Sequence, residues 1–320
     1  MRVGAAVVTY NRGALMAECL DALLAQTRPL ERIVVVDNAS TDGTGELLRR
    51  RGLLDDPRVE LERLPENRGS SGGFAAAIER ARDGCDWLWV MDDDAEPRPD
   101  ALERLLESAW ARDPGTAALC QKVVNPDGTL QLGARGEIDG GVRHFRAAEH
   151  VDGAECGYST FVGILVRGDV ARATDPPRPD FFIWCDDYEW CLRLRRAGKL
   201  RLATRSEIVH KDAGHGFTTR RMLVVNRLTG WSYGATPYSG FWRNLCGVRN
   251  YVWLRKHHLG EGPLSAALTV AQFMVKALLY DEKPLRRLPW IAKAGLDGRL
   301  GVFCTITPRE WAARLESGDA

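Results

Sequence analysis

The sequence predicts an α/β fold, with a mostly parallel central sheet covered by helices on both faces and a mainly helical C-terminal region behind it. Three observations carry this. Short β-branched runs alternate with helical patterns through roughly the first hundred residues, each run ends in a polar cluster, and the chain turns basic, aromatic and helical after residue 217.

Taken in order, "VGAAVV" is the first strand and a helix follows around 13 to 25. "RIVVVD" is the second strand, with a helix around 42 to 51; "VELERL" is the third, with a helix around 70 to 82; "WLWVMD" is the fourth. From about 115 to 166 short strands with Gly-rich turns, as in "NPDGTLQLGARGEIDGGVRHF", suggest a hairpin insertion. The loop "TDPPRPD" leads into "FFIWCDDYEWCLRLRRAG", whose second half has helical periodicity and stops at Gly198. Beyond 217, "FWRNLCGVRNYVWLRKHH" and "PLSAALTVAQFMVKALLY" read as helices.

With 320 residues and 45% hydrophobic content, the chain can bury one large core or two modest ones. Its net charge of +1 exerts no global pull on nucleic acid, and no nucleic-acid partner is expected. The eight cysteines lack the close pairing of a zinc ribbon or a disulfide framework, so reduced thiols and a cytoplasmic chain are the expectation. The N-terminal apolar run is too short for a signal peptide. Gln272 and Lys276 interrupt residues 264 to 280, which are expected not to span a membrane. An apolar face there, flanked by Arg255, Lys256, Lys283, Arg286 and Arg287, fits either an interfacial helix on the inner membrane surface or a core helix.

Every informative polar group follows a strand, and in open α/β sheets ligands bind beyond the carboxyl ends of the strands. Thr9, Tyr10, Asn11 and Arg12 follow the first, Asp37 and Asn38 the second, Asn67 to Gly73 the third, and Asp92, Asp93 and Asp94 close the fourth. Glycines opening a helix at "ENRGSSGGF" let backbone approach a phosphate or sugar, or simply make a tight turn. Asp37 fits a ribose or base; as an N-cap it is less well placed than Ser40 and Thr41. Three successive acids either form a solvated turn or hold a cation, and oxygen ligands suit Mg²⁺ or Mn²⁺. Asp186, Asp187 and Glu189 begin a helix, where acids are favoured, yet a carboxylate beside the apolar "FFIW" can also serve as a general base. His210 and His215 are loop histidines or the completion of an aspartate metal site. Zinc is disfavoured, because Cys185 and Cys191 have a poor ligand spacing.

The ordered set "VVTYNR", "VVVDNAST", "ENRGSSGGF", "MDDDAEP", "WCDDYEW" and a following histidine resembles the inverting nucleotide-sugar glycosyltransferases of family 2, with the GT-A fold, over residues 3 to about 215. Within that family the segments "NRGSSGGF", "FFIWCDDYEWCLR" and "RNLCGVRNYVWL" resemble the bacterial galactofuranosyltransferases most, then the rhamnosyltransferases. The resemblance implies a catalytic domain over 1–216, with a nucleotide-sugar half to about 114 and an acceptor half from about 115, and a helical region over 217–320. It implies Thr9, Tyr10, Asn11, Arg12, Asp37, Asn38, Asn67, Gly72, Gly73, Asp92 and Asp93 at a donor such as UDP-galactofuranose. It further implies Asp92, Asp94 and His210 at Mn²⁺ or Mg²⁺, Asp187 as the base, and Trp184, Asp186 and His215 at a glycan, lipid-linked or small-molecule acceptor. Cys185 stands where relatives often carry tryptophan. A dTDP-rhamnose donor, a small-molecule tailoring enzyme and a non-catalytic scaffold are the alternatives. Homo-oligomerisation and a role in cell-wall or polysaccharide synthesis also fit.

Overall fold

The computed structural model describes residues 1–131, 136–138, 142–143, 152–211, 236–303 and 308–317. They divide into two compact units, Met1–Pro179 with Asp186–Lys211, and Asp180–Cys185 with Asp212–Ala320.

The first unit is built on one sheet. Strands β1 (Val3–Thr9), β2 (Arg32–Asp37), β3 (Val59–Arg63) and β4 (Trp87–Asp92) alternate with helices α1 (Gly13–Leu24), α2 (Thr44–Arg50) and α3 (Gly69–Ala81), as expected. They are followed by β5 (Ala95–Pro97), α4 (Ala101–Glu107), β6 (Thr116–Val124), β7 (Gly136–Ile138), β8 (Val142–Arg143), β9 (Glu155–Ser159), β10 (Val162–Arg167), α5 (Gly168–Ala173), α6 (Asp186–Leu194) and β11 (Lys199–His210). The order across the sheet is β3-β2-β1-β4-β10-β6-β11-β9-β7-β8, with β5 paired to β11. Strands β1 to β4 run parallel, and β10 is antiparallel to both its neighbours.

The strands read as continuous apolar runs because both faces are covered. Val3, Ala5 and Val7 of β1 join Met16, Leu20 and Leu23 of α1 in one buried layer, while Ala6 and Val8 join Phe74, Ala77 and Ile78 of α3 in the other. The expected hairpin insertion needs correction at its ends. β7, β8 and β9 pair antiparallel, but β6 and β10 are interior strands of the main sheet. Their runs "TAALCQKVV" and "VGILVR" are buried almost throughout, and such runs are stable only between neighbours.

Along β11 the register with β6 jumps: Ala203 pairs with Gln121 but Glu207 with Lys122, so residues 204 to 206 bulge out of the ladder. Ser206 anchors the bulge by donating to the Ala101 carbonyl at 2.7 Å and accepting from Gln121 Nε2 at 2.7 Å. The same Gln121 accepts from the buried Trp89 indole. Past the bulge, His210 is level with Ala95 of β5.

In the second unit α7 (Phe241–His258), α8 (Pro263–Tyr280), α9 (Pro284–Leu300) and α10 (Pro308–Ser317) enclose a core of Phe241, Leu245, Val248, Ile291 and Trp311. Arg287, fully buried, is held by Asp281 and by the carbonyls of Thr236 and Glu282. Contrary to the sequence expectation, α8 has the length and composition of a membrane span, with a mean hydropathy of 1.3 despite Gln272 and Lys276. Only 17% of it is buried.

Gly72 and Gly73 lie inside α3 rather than in a turn, and a Cβ on Gly73 would sit 2.6 Å from Val8 Cγ1. Gly73 therefore sets how closely α3 approaches β1. Gly73→Ala is expected to lose about 1–3 kcal/mol to overpacking. Gly45→Ala in α2, whose new Cβ meets Leu61 at an ordinary 3.6 Å, should be neutral or stabilising by up to about 1 kcal/mol. Denaturant midpoints of the two variants check the contrast.

Candidate active site

The parallel order of β2, β1 and β4 brings their carboxyl ends side by side, and with them the polar clusters read from the sequence. At the end of β4, Asp92 is half-buried while Asp93 and Asp94 are only 4% and 6% exposed. Unpaired carboxylates at that depth are costly, so each has a partner from another strand. Thr9, ending β1, donates its hydroxyl to Asp93 Oδ2 at 2.7 Å. Arg12 Nη1 reaches Asp93 Oδ1 at 3.3 Å and Asp94 Oδ2 at 2.7 Å. Burial still raises the Asp93 pKa to about 6 against the pull of Thr9 and Arg12. Burial acts the same way on Asp94, but His210, when protonated, and Arg12 outweigh it and hold that carboxyl below its usual range.

His210 arrives at the end of β11, opposite β5, and the Lys211 amide donates to the Asp94 carbonyl at 2.9 Å. His210 Nε2 lies 3.1 Å from Asp94 Oδ1. That is an ion-pair distance without hydrogen-bond alignment, so the buried Oδ1 has no hydrogen-bond donor. Asp92, Asp94 and His210 each offer one ligand atom, all within 4.8 Å of one another. Two carboxylates, one imidazole and an orphaned oxygen form a donor set that suits a divalent ion such as Mg²⁺ or Mn²⁺.

The β2 end is knitted to its surroundings. Asp37 Oδ1 accepts the Ser40 amide at 2.8 Å, and Arg63 Nε stands 3.8 Å from Oδ2. Asn38 donates to Asn67 Oδ1 and the Gly69 carbonyl and accepts from the Arg68 amide, tying β2 to the start of α3. Asn11, with φ at 54°, accepts from the Thr41 amide. Ser40 and Thr41 do not cap α2: Asp42 accepts from the Thr44 amide and hydroxyl instead. A small cavity of about 120 Å³ is lined by Asp37, Ser40, Thr44, Leu61 and Arg63, while Tyr10 is 42% exposed.

Among the acids opening α6, three environments are distinct. Asp186 is buried, accepts from Ser70 Oγ at 2.9 Å, and has its pKa raised by that burial. Glu189 is paired with Arg193 one turn on, at 2.7 Å. Asp187 is half-buried, and its Oδ1 accepts the Tyr188 amide. Trp184 belongs to the second unit, where it packs against Gly247 and its carbonyl accepts from Asn250. Trp184 and Cys185 both hold positive φ, near 67° and 66°. His215 lies outside the described residues. The sequence reading missed Gln131, whose Oε1 is 3.0 Å from His210 Nδ1, and Ser70 and Arg63 as partners of site acids. Nothing local in the sequence marks these three; they become partners only when separate elements meet.

The family model described as Glycosyl transferase family 2 matches residues 5–171, just over half of the chain. The chain belongs to this family. It is 31% identical over 204 residues to galactofuranosyltransferase GlfT1 of Mycolicibacterium smegmatis, covering 61% of this chain and 66% of that one. It is 26% identical to an N-acetylglucosaminyl-diphospho-decaprenol L-rhamnosyltransferase of Mycobacterium tuberculosis, over 74% and 85% of the two chains. With the succinoglycan biosynthesis protein ExoO of Rhizobium meliloti it shares 35% identity, across 41% and 37%. The matches thus span between 37% and 66% of the length of ExoO and GlfT1. Among solved structures, a mannosyltransferase from Pyrobaculum calidifontis in complex with GDP-Man and Mn²⁺ is 19% identical with a TM-score of 0.56, over 99% and 79% of the chains, a likeness of fold. This family member thus has the GT-A architecture expected, with a helical region following.

The Thr9 to Asp93 bond can be tested without touching a candidate ligand. Thr9→Val keeps the side-chain shape but leaves a buried carboxylate oxygen without its donor, a loss of about 1–3 kcal/mol. Thermal unfolding without added metal should register it, and an unchanged midpoint would show the bond to be idle.

Proposed function

We propose that the chain is a metal-dependent inverting glycosyltransferase that moves galactofuranose from UDP-galactofuranose to an acceptor hydroxyl. The observation that carries this is the convergence of Asp92, Asp94 and His210 within 4.8 Å at the ends of β4 and β11. On this reading Asp92, Asp94 and His210 would hold Mn²⁺ or Mg²⁺, which would supply Lewis-acid stabilisation of the charge left on the departing diphosphate. Asp37, with the Ser40, Thr44 and Arg63 cavity, receives the uracil and ribose, and Arg12 faces the diphosphate. Asn38 and Asn67 hold the loop below the donor in place. Residues 1–114 form the donor half, 115–216 the acceptor half, and the helical region begins near 217.

Asp187 takes the proton from the acceptor hydroxyl as its oxygen bonds to the anomeric carbon, and the bond from that carbon to the diphosphate breaks on the opposite face. One displacement inverts the configuration. The partial exposure of Asp187 supports this choice over Asp186, which is buried and engaged by Ser70. Similarity to a galactofuranosyltransferase favours the furanosyl donor, and similarity to a rhamnosyltransferase makes dTDP-rhamnose the second candidate.

The acceptor is proposed to be lipid-linked and met at a membrane surface. Leu264, Leu268 and Val275 form an exposed stripe on α8, and Leu285, Leu296 and Leu300 another on α9. Lys283, Arg286 and Lys293 lie in the same stretch, a pairing of apolar and basic residues that suits an anionic bilayer.

Asp187→Asn should cut turnover by roughly two to four orders of magnitude while leaving donor affinity, read by calorimetry with Mn²⁺, nearly unchanged. Near-normal turnover in that variant would remove Asp187 from the role of base. In flotation with anionic liposomes at low salt the protein should rise with the vesicles, and alkaline wash should strip it if α8 lies in the interface. Retention after the wash would mean that α8 spans, and a fully soluble fraction would exclude the membrane face.

A further inference from the structure

We propose that Gln131 is a positioning residue that fixes the tautomer of His210, so that the ring turns a bare Nε2 toward Asp94 and the cation. The inference rests on the metal reading above but makes its own claim about the metal-free protein. A neutral imidazole carries one N–H, and only its other nitrogen can bind a metal. His210 Nδ1 stands 3.0 Å from Gln131 Oε1, an atom that can only accept. In the neutral ring the proton is therefore on Nδ1, which leaves the Nε2 lone pair 3.1 Å from Asp94 Oδ1. Nε2 and Oδ1 then offer unshared pairs within reach of a single ion, and Oδ1 has no hydrogen-bond donor.

The direction of the Gln131 amide is itself determined. Gln131 Nε2 donates to Asn125 Oδ1 at 2.9 Å, Asn125 Nδ2 donates to Thr129 Oγ1 at 3.0 Å, and the Thr129 hydroxyl donates to Asp127 Oδ1 at 2.6 Å. Asp127 also accepts the Thr129 amide, and these hydrogen bonds hold its carboxyl below the usual range. An ionised carboxylate only accepts, so the chain of bonds has one sense. Flipping the Gln131 amide alone would set its NH₂ against the proton on His210 and its oxygen against Asn125 Oδ1. The turn "NPDGT" makes this compact arrangement, with Gly128 at φ 83° and the Asn125 amide bonded to the Thr129 carbonyl. A hairpin tip that reads as an ordinary turn thus sets the chemistry of a histidine 79 residues away from Gln131.

Long-range ¹H–¹⁵N spectra of the metal-free protein, with the imidazoles neutral and His210 assigned through His210→Asn, should show the proton on Nδ1. Gln131→Leu should shift the ring toward Nε2–H and weaken Mn²⁺ binding, followed by the free-ion electron paramagnetic resonance signal, by about 10–100-fold. Gln131→Glu, which still accepts the Nδ1 proton, should restore both. An Nε2–H ring in the wild-type protein, unchanged Mn²⁺ affinity in Gln131→Leu, or failure of Gln131→Glu to restore it would overturn the inference. The metal reading fails separately, by absence of Mn²⁺ binding to the wild-type protein.

Discussion

Three consecutive carboxylates at the mouth of a buried strand repel one another, and the site is arranged around containing them. The chain's own groups meet much of that demand: Thr9 and Arg12 from the β1 end, and His210 from β11 when its ring is protonated. These partners come from two strands other than β4, so the containment depends on β1 lying beside β4 and on β11 being paired with β5. Any alternative strand order would leave buried charge uncompensated, at a cost of several kcal/mol per group. The candidate site and the topology are thus stabilised by the same contacts.

Containment is incomplete at Asp94 Oδ1, the one carboxylate oxygen among the described residues that is buried without a hydrogen-bond donor. Arg12 sits on the opposite oxygen of the same group. Asp94 is therefore divided between a permanent internal cation and an open position. A similar division separates the acids of α6, where Asp186 ties that helix to Ser70 and Asp187 keeps partial access to solvent. Adjacent residues of the same type have different surroundings because a helix turns them about a hundred degrees apart.

Much of this was readable from the residues alone. Strands β1 to β4 are legible because each is an apolar run closed by a polar cluster, and the site acids are legible because they stand where strands end. The places of β6 and β10 were not: a fully apolar run announces burial but not its neighbours, and "VGILVR" carries no mark of running antiparallel between β4 and β6. The glycines of α3 stay open in the sequence between a ligand approach and a tight turn, because composition cannot separate either from a glycine that lets a helix approach a strand, as Gly73 does at Val8. The span-like composition of α8 is not evident from its interruptions, because one lysine and one glutamine weigh little against sixteen other residues. Gln131 is invisible in the sequence, since its contact with His210 exists only after the turn following β6 meets the end of β11.

The bulge at 204–206 has a further consequence for β11. The ladder on its two sides is specified separately, by Leu200 to Ala203 against β6 and β9 on one side, and by Glu207 to His210 against β6 and β5 on the other. The strand therefore consists of two separately specified ladders joined by a bulge that Ser206 pins to Ala101 and Gln121. Changes toward β9 lie on the far side of that pin from His210. The outer edge of the sheet is thereby free to diverge in length and shape among descendants of this chain while the histidine stays in phase with the aspartates.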